Sequence, residues 1–247
     1  GAFYPQSLRP SDYLAFYARQ FDTVELDTTF HAVPPPERVA GWANAVPDDF
    51  RFTAKVPKAI THEPGLDEKS EAFVDFARCL KPLGDKLGRV LLQFPPTTGV
   101  EIARPLNRLL DDVGHLLPLA VEIRHPSWFT GQALPALHER GVTVVANDYL
   151  DRAQPLLGPS GCVYVRLIGE HDRFPTKDQE RYDVQDRLAW WVDQIMARAT
   201  PKGTVYVTVN NDYAGHSPAT IRRLRQLVGL PDTTPEAGSP EAATLFG

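Results

Sequence analysis

Apolar and β-branched residues gather in seven short runs, at residues 23–30, 51–57, 89–95, 119–125, 143–150, 162–169 and 204–211. Each run is strand-length and bounded by turn or polar residues, which predicts seven strands. A second period lies between them. Leu14, Tyr17 and Phe21 mark one helical face behind Ser11, a candidate N-cap. Phe73, Phe76, Ala77 and Leu80 repeat at helical spacing, as do Leu188, Trp191, Val192 and Ile195. Ile102, Leu106, Leu109, Leu110 and Val113 form a wider stripe. The last helix is predicted with Ser217 as N-cap, Pro218 at the first position, an Ile221–Leu224–Leu227–Val228 face and Gly229 as its stop. Such stripes predict helices packed on a sheet.

Strands that alternate with helices form parallel sheets, because parallel neighbours need a crossover connection. No G-x-G-x-x-G turn follows an early strand, which removes the main sign of an open nucleotide-binding sheet. Polar residues near the C-terminal ends of several strands suit a barrel mouth instead. The expected fold is α/β, a TIM-type (β/α)8 barrel. Seven runs leave it one strand short, so the first strand is expected upstream of Gly1 and missing from this chain. Residues 1–230 are read as one barrel domain. Residues 231–247, rich in Pro, Ala, Thr and Glu, are read as an irregular tail.

Composition narrows the function classes. No run approaches 18 apolar residues, so no membrane partner is expected. A formal net charge of -5 disfavours a broad nucleic-acid-coating surface while leaving room for a small basic pocket. Two cysteines cannot build a disulfide framework, and the simplest compartment is the cytoplasm. The chain opens on Gly1 rather than Met, so a natural N-terminus or signal peptide upstream is left open.

Residues two apart on a strand share a face. Glu25 with Asp27, Glu122 with Arg124, Tyr164 with Arg166, and Thr208 with Asn210 are such pairs. Lys55 and Gln93 stand near strand ends, and Asn147 and Asp148 end theirs on opposite faces, so only one can point inward. The candidate catalytic groups are Glu25, Lys55, His62, Glu122 and His125. The candidate substrate-binding groups are Gln93, Arg124, Trp128, Tyr164, Arg166, Asn210, Asn211, His216 and Ser217. The competing expectation is that Glu25, Lys55, Glu122 and Arg124 merely form ion pairs that plug the barrel. The loop at 170–182, long and charged, is a candidate lid. The Ser217 helix start is a candidate anion site. A divalent metal remains an option, since His62, His125, Glu25, Glu122, Asp148 and His216 could supply ligands, but three nearby basic residues disfavour a cluster. A glycosidase-like pair, Glu25 with Glu122, is a further alternative.

FYP near the start, TVELDTTF, RFTAKVPKAITH, LLQFPP, VEIRHPSWF, VYVRLIG and VNNDYAGHSP together resemble the YecE-like family (domain of unknown function seventy-two), from residue 3 to about 227. The resemblance implies a TIM-type barrel with a first strand ahead of FYP. It carries over as matched motif residues Glu25, Thr29, Lys55, Thr61, His62, Gln93, Glu122, Arg124, His125, Trp128, Tyr164, Arg166, Asn210 and Asn211. Three positions depart from its pattern: Asp27 where Asn is common, His31 where Tyr is common, and Ile168 where a His usually precedes the glycine. The resemblance brings no activity with it. The leading reading is an enzyme of hydrolase, lyase or isomerase type acting on a small anionic ligand, phosphorylated or carboxylated. Arg124, Arg166 and the Ser217 helix start would hold the anion; Glu25 or Glu122 would be the base and His125 or His62 the acid. The alternatives are a metal-dependent nucleic-acid-processing barrel and a non-catalytic anion-binding or scaffold protein.

Overall fold

A computed structural model describes residues 3–149, 154 and 160–231 of the chain. The proposed tail from 232 onward, the end of the fifth strand run at Leu150, and any strand upstream of Gly1 lie outside the described residues.

The strands are β1 (Thr23–Leu26), β2 (Arg51–Lys55), β3 (Leu87–Gln93), β4 (Leu119–Glu122), β5 (Thr143–Val144), β6 (Ala146–Asp148), β7 (Ser160–Leu167) and β8 (Ala199–Val209). The helices are α1 (Tyr13–Ala18), α2 (Thr28–His31), α3 (Pro36–Asn44), α4 (Lys58–Thr61), α5 (Ser70–Leu80), α6 (Ala103–Val113), α7 (Ala133–Glu139), α8 (Gln185–Met196), α9 (Asn211–Ala214) and α10 (Ser217–Leu227). All strand pairs are parallel and follow chain order, β1 to β5 in one sheet and β6 to β8 in another. The two sheets share one chain path. Val145 separates β5 from β6, and its amide still donates to the Val121 carbonyl at 2.9 Å. The seven predicted runs are therefore seven strand paths, one of them changing partners midway.

Alternation along the strands sorts side chains into two layers. The outward residues of β1 to β4, among them Leu26, Phe52, Val90 and Val121, pack with the stripes of α5 and α6. Val163, Val165 and Leu167 of β7 pack with Leu188, Trp191 and Ile195 of α8 and Leu224 of α10. The inward residues Leu91, Ala120, Val145, Cys162, Tyr164 and Tyr206, from five strand paths, form a third cluster. Only a strongly curved sheet lets them meet. Gly88 of β3 faces the Tyr206 ring of β8 so closely that a Cβ would strike it.

The curl is not closed. Among the described residues β8 pairs only with β7 and β1 only with β2. Arg225 bridges the gap to Asp22 at 2.6 Å. Met196 and Val205 beside this gap are 66% and 39% exposed. No helix of the described residues is long and apolar enough to cross a membrane.

Several local expectations shift. The first predicted strand stops at Leu26, and residues 28–31 form the turn α2, so Asp27 lies past the strand rather than on it. Ser11 sits inside a 3-10 turn, Pro10–Asp12, not at the N-cap of α1; proline's fixed φ starts that tighter turn. Helix α10 begins at Ser217 with His216 as its N-cap, one residue earlier than expected, while Gly229 takes the left-handed conformation just past its end (φ 72°).

Asp148 is the outward member of its pair and is fully buried. It accepts from Arg187 Nε (2.8 Å) and Nη2 (2.9 Å), Trp191 Nε1 (2.6 Å) and Tyr213 OH (2.9 Å), tying β6 to α8 and α9. Burial and the Asp148 charge push the Tyr213 hydroxyl far above its usual range, so it stays a donor. Removing the carboxylate leaves these donors desolvated without an acceptor. Asp148→Ala is expected to lower the unfolding free energy by about 3–5 kcal/mol, measured by urea denaturation.

Candidate functional site

Because every strand is parallel, all C-terminal ends reach one rim, where the last inward residues of each strand converge. Above the apolar inner cluster lies a charged layer built from Glu25, Lys55, Gln93, Glu122, Asn147 and Arg166. Strand register places Gln93 beside Glu122 and Asn147 beside Arg166.

Arg166 of β7 is the centre of this layer. Its Nη2 and Nε donate to Glu25 Oε1 (2.5 Å) and Oε2 (3.0 Å) of β1. Its Nη1 donates to Glu122 Oε2 of β4. Glu122, wholly buried, also accepts from Arg124 Nε (2.6 Å) and Asn147 Nδ2 (3.3 Å). Tyr164 OH donates to Glu25 Oε2 at 2.5 Å and lies 2.9 Å from Thr53 Oγ1. Burial would raise the Glu122 carboxyl, but Arg166 and Arg124 outweigh it and hold the group below its ordinary value. Burial and Glu25 push Tyr164 well above its own. For Arg166, burial would lower the value, yet Glu122 and Glu25 raise it further. Both glutamates are thus engaged as acceptors, Glu25 from Arg166 and Tyr164 and Glu122 from Arg166, Arg124 and Asn147.

A second group sits at the rim. Lys55 Nζ donates to Asp27 Oδ1 (3.1 Å) and rests 4.0 Å from the centre of the Phe30 ring. His62 meets the same ring edge-on at 4.9 Å, and its Nδ1 is 2.8 Å from Thr61 Oγ1. The Thr29 hydroxyl reaches the Leu26 and Lys55 carbonyls (2.8 and 2.6 Å), so α2 is pinned across the ends of β1 and β2. Burial, then Lys55, Lys58 and Arg124, push His62 below its ordinary 6.5, and the ring is neutral at pH 7. Arg124 lies 5.6 Å from the centre of the Tyr149 ring. Its two terminal amino groups have no hydrogen-bond acceptor among the described residues.

The other candidates divide. Gln93 is buried and donates to the Phe94 carbonyl at 3.0 Å, but it lines the rim cavity. Asn210 and Ser217 line the same cavity from the β8 side. The Ser217 amide and hydroxyl both donate to Asn211 Oδ1 at 2.9 Å, so the first amide of α10 is already capped rather than open to an anion. His216 caps α10 and is pushed below its ordinary value by burial and Arg222. His125 is drawn away by its own turn: its Nδ1 accepts from the Ser127 amide (3.2 Å). Trp128 is buried in the outer core, with Nε1 donating to the Thr98 carbonyl at 3.3 Å. Tyr164 is entirely buried, where it holds Glu25.

The six candidate metal ligands do not gather. Among the described residues no three His, Cys, Asp or Glu side chains form a group able to hold a metal. Glu25 and Glu122 face arginine, and Asp148 points to the opposite side of the sheet.

The loop at 170–182 has neither helix nor strand, as expected, yet its middle is strapped down. Lys177 pairs with Asp212 (3.0 Å), Glu180 binds Thr220 (2.8 Å) and Arg223 (2.6 Å), and the Arg181 amide donates to the Ala214 carbonyl (2.6 Å). Gly169 and Gly215, both with positive φ, allow this contact: a Cβ on Gly169 would strike the Asp212 backbone, and one on Gly215 the Gln179 carbonyl at 2.5 Å.

Thr53, Phe30, Asn147 and Tyr149 belong to the arrangement and were not among the candidates. Thr53 was detectable, being two residues before Lys55 on the same face. Asn147 was half-detectable, since the strand allowed one inward residue without saying which. Phe30 was hidden by its placement on a strand instead of a turn.

With this geometry in place, comparison with known proteins is informative. The family model described as protein of unknown function DUF72 matches residues 1–244. The UPF0759 protein YecE of Escherichia coli K12 is 29% identical over 259 aligned positions, covering 93% of this chain and 91% of that protein. The UPF0759 protein YunF of Bacillus subtilis is 32% identical over 140 positions, 52% of this chain and 48% of that protein. The crystal structure of a DUF72 family protein from Enterococcus faecalis superimposes with a TM-score of 0.70 at 27% identity, covering 90% of this chain and 95% of that one. A second, from Thermotoga maritima, gives 0.66 at 26% identity, with 92% and 91% covered. The parallel α/β fold is thus shared with crystallographically known neighbours, and the chain belongs to the DUF72 family.

Proposed function

We propose that this chain is an enzyme for a small anionic substrate, phosphorylated or carboxylated, with its site at the C-terminal rim of a TIM-type barrel left open between β8 and β1. The inner cluster drawn from five strand paths supports the barrel reading. The single observation that carries the activity is that Lys55 and His62 meet on the Phe30 ring while the terminal amino groups of Arg124 have no acceptor among the described residues. Lys55 and Arg124 hold the anion, and His62 accepts a proton from the bound substrate. Glu25, Glu122, Arg166 and Tyr164 form the rigid floor that aims Arg124 and take no part in proton transfer. Glu122, held below its ordinary pKa by two arginines, is a poor base, and Glu25 is engaged by Arg166 and Tyr164, so we give the acid–base role to the histidine.

Thermal-shift titration with inorganic phosphate, ribose 5-phosphate and succinate tests the anion station. Stabilisation by at least one of them is expected, and Lys55→Ala or Arg124→Ala should weaken it roughly tenfold or more, the order of one charge-assisted contact. Equal binding by wild type and both variants would place the anion elsewhere.

For any anion that is turned over, the rate should climb as pH rises through a value below 6.5 and then level off, because only unprotonated His62 is active. His62→Gln should keep binding and lose that acid limb along with most of the rate, about 100-fold or more. An unchanged profile in the variant would remove His62 from the mechanism.

The floor makes its own prediction. A carboxyl whose folded pKa is depressed contributes stability that is complete above its unfolded pKa and is lost as pH falls through the folded one. Glu122 should therefore contribute fully above about 4.5 and progressively less below. Glu122→Gln is expected to cost about 3–5 kcal/mol near neutrality and to flatten the acid limb of the stability curve, read by urea denaturation across pH.

A further inference from the structure

The rim cavity is larger than a small anion needs. It encloses about 1780 Å3, beyond the roughly 300–1,000 Å3 usual for small-molecule sites. Part of it runs along the gap between β8 and β1, and the rest carries chemistry. At one place Arg124 lies 5.6 Å from the centre of the Tyr149 ring. At another, Arg173 lies 4.6 Å from the centre of the Tyr182 ring and donates from Nη2 to its hydroxyl at 3.0 Å. All four side chains line the same cavity. The Tyr182–Arg173 pair has no part in the anion site, and Tyr182 is 43% exposed. Arg173, over part of the ring and bonded to its hydroxyl, and Phe174, whose ring lies 5.7 Å away at 55°, hold Tyr182 in one orientation and leave the rest of it exposed. A fixed, half-open ring at a cavity wall is a platform for another flat ring. The amides of Gln93 and Asn210 line the cavity too and suit hydroxyl groups.

Resting on the anion reading above, we infer that the substrate class is a nucleoside phosphate: the phosphate meets Lys55 and Arg124, and the base lies on the Tyr182–Arg173 platform. The ring-bearing end supplies affinity, and the phosphate end lies toward Lys55, which shares the Phe30 ring with His62.

Isothermal titration of the whole chain with adenosine 5′-monophosphate, ribose 5-phosphate and inorganic phosphate tests this. The nucleotide should bind roughly tenfold or more tighter than ribose 5-phosphate, the scale of one stacked base. Tyr182→Ala should erase that difference while leaving ribose 5-phosphate binding unchanged, and Arg124→Ala should weaken both. Because Tyr182 is exposed, thermal melting of the variant checks that its fold is intact. Equal affinity for nucleotide and ribose 5-phosphate in the wild type would overturn the platform and leave the anion reading standing. A Tyr182→Ala protein that keeps the nucleotide preference would also overturn it. Failure of all three probes to bind would overturn the nucleoside phosphate together with the phosphate form of the anion reading, whose carboxylate form the succinate titration tests separately.

Discussion

The guanidinium of Arg166, gripped by Glu25 and Glu122, is the interaction on which the arrangement of the mouth depends. It joins β1, β4 and β7, which lie far apart in the order of strands. Hydrogen-bond ladders do not connect β1 to β8 among the described residues, so side chains must hold the curl at that gap. A doubly paired arginine suits the task because its planar fork fixes direction as well as distance. Tyr164 extends the same support downward, from Glu25 to Thr53 and into the apolar cluster. Burying these charges is costly, and that cost is offset only because nearly every donor and acceptor has a partner.

The same lattice bears on where the side chains at the rim stand. Glu122 is fully buried and cannot meet a substrate, but it directs Arg124 through Nε and leaves the outer end of that side chain toward the cavity. Lys55 is positioned differently, by Asp27 and by the face of Phe30. Phe30 also takes the edge of His62, so one ring packs against both a cation and an imidazole. The arginine–glutamate pairs lie beneath the rim, whereas His62 stands at the rim, where burial and nearby cations push it below its ordinary value.

Much of this was legible in the residues, and the parts that were not share a cause. Strand runs and helix stripes follow from burial on one face, which is local and periodic, so seven strand paths and the main helices could be read directly. Glu25, Glu122 and Arg166 were legible as charged residues on apolar strands, though their direct pairing was not. Pairing across 141 residues depends on sheet curvature, which no local pattern records. Trp128 and His125 follow a strand in a polar motif and read as mouth residues. The turn Pro126–Phe129 instead folds Trp128 into the core and makes His125 its cap. Asp27 and Phe30 read as strand because Thr and Phe favour strands, yet Thr29 binds the Leu26 and Lys55 carbonyls and holds a helical turn there.

The loop at 170–182 shows what composition alone does not record, the partners its charges find. Length, charge and lack of periodicity suggest a mobile cover, and the same charges do the opposite here. Lys177 and Glu180 pair with α9 and α10, the Arg181 amide bonds the Ala214 carbonyl, and Gly169 and Gly215 let the two backbones touch. Charged loop residues face solvent when they find no partner, but opposite charges on a neighbouring helix turn them into anchors. Only the ends of the loop, Glu170 to Arg173 and Tyr182, reach the cavity. The paired middle of the loop thereby sets where Arg173 and Tyr182 stand on the cavity wall.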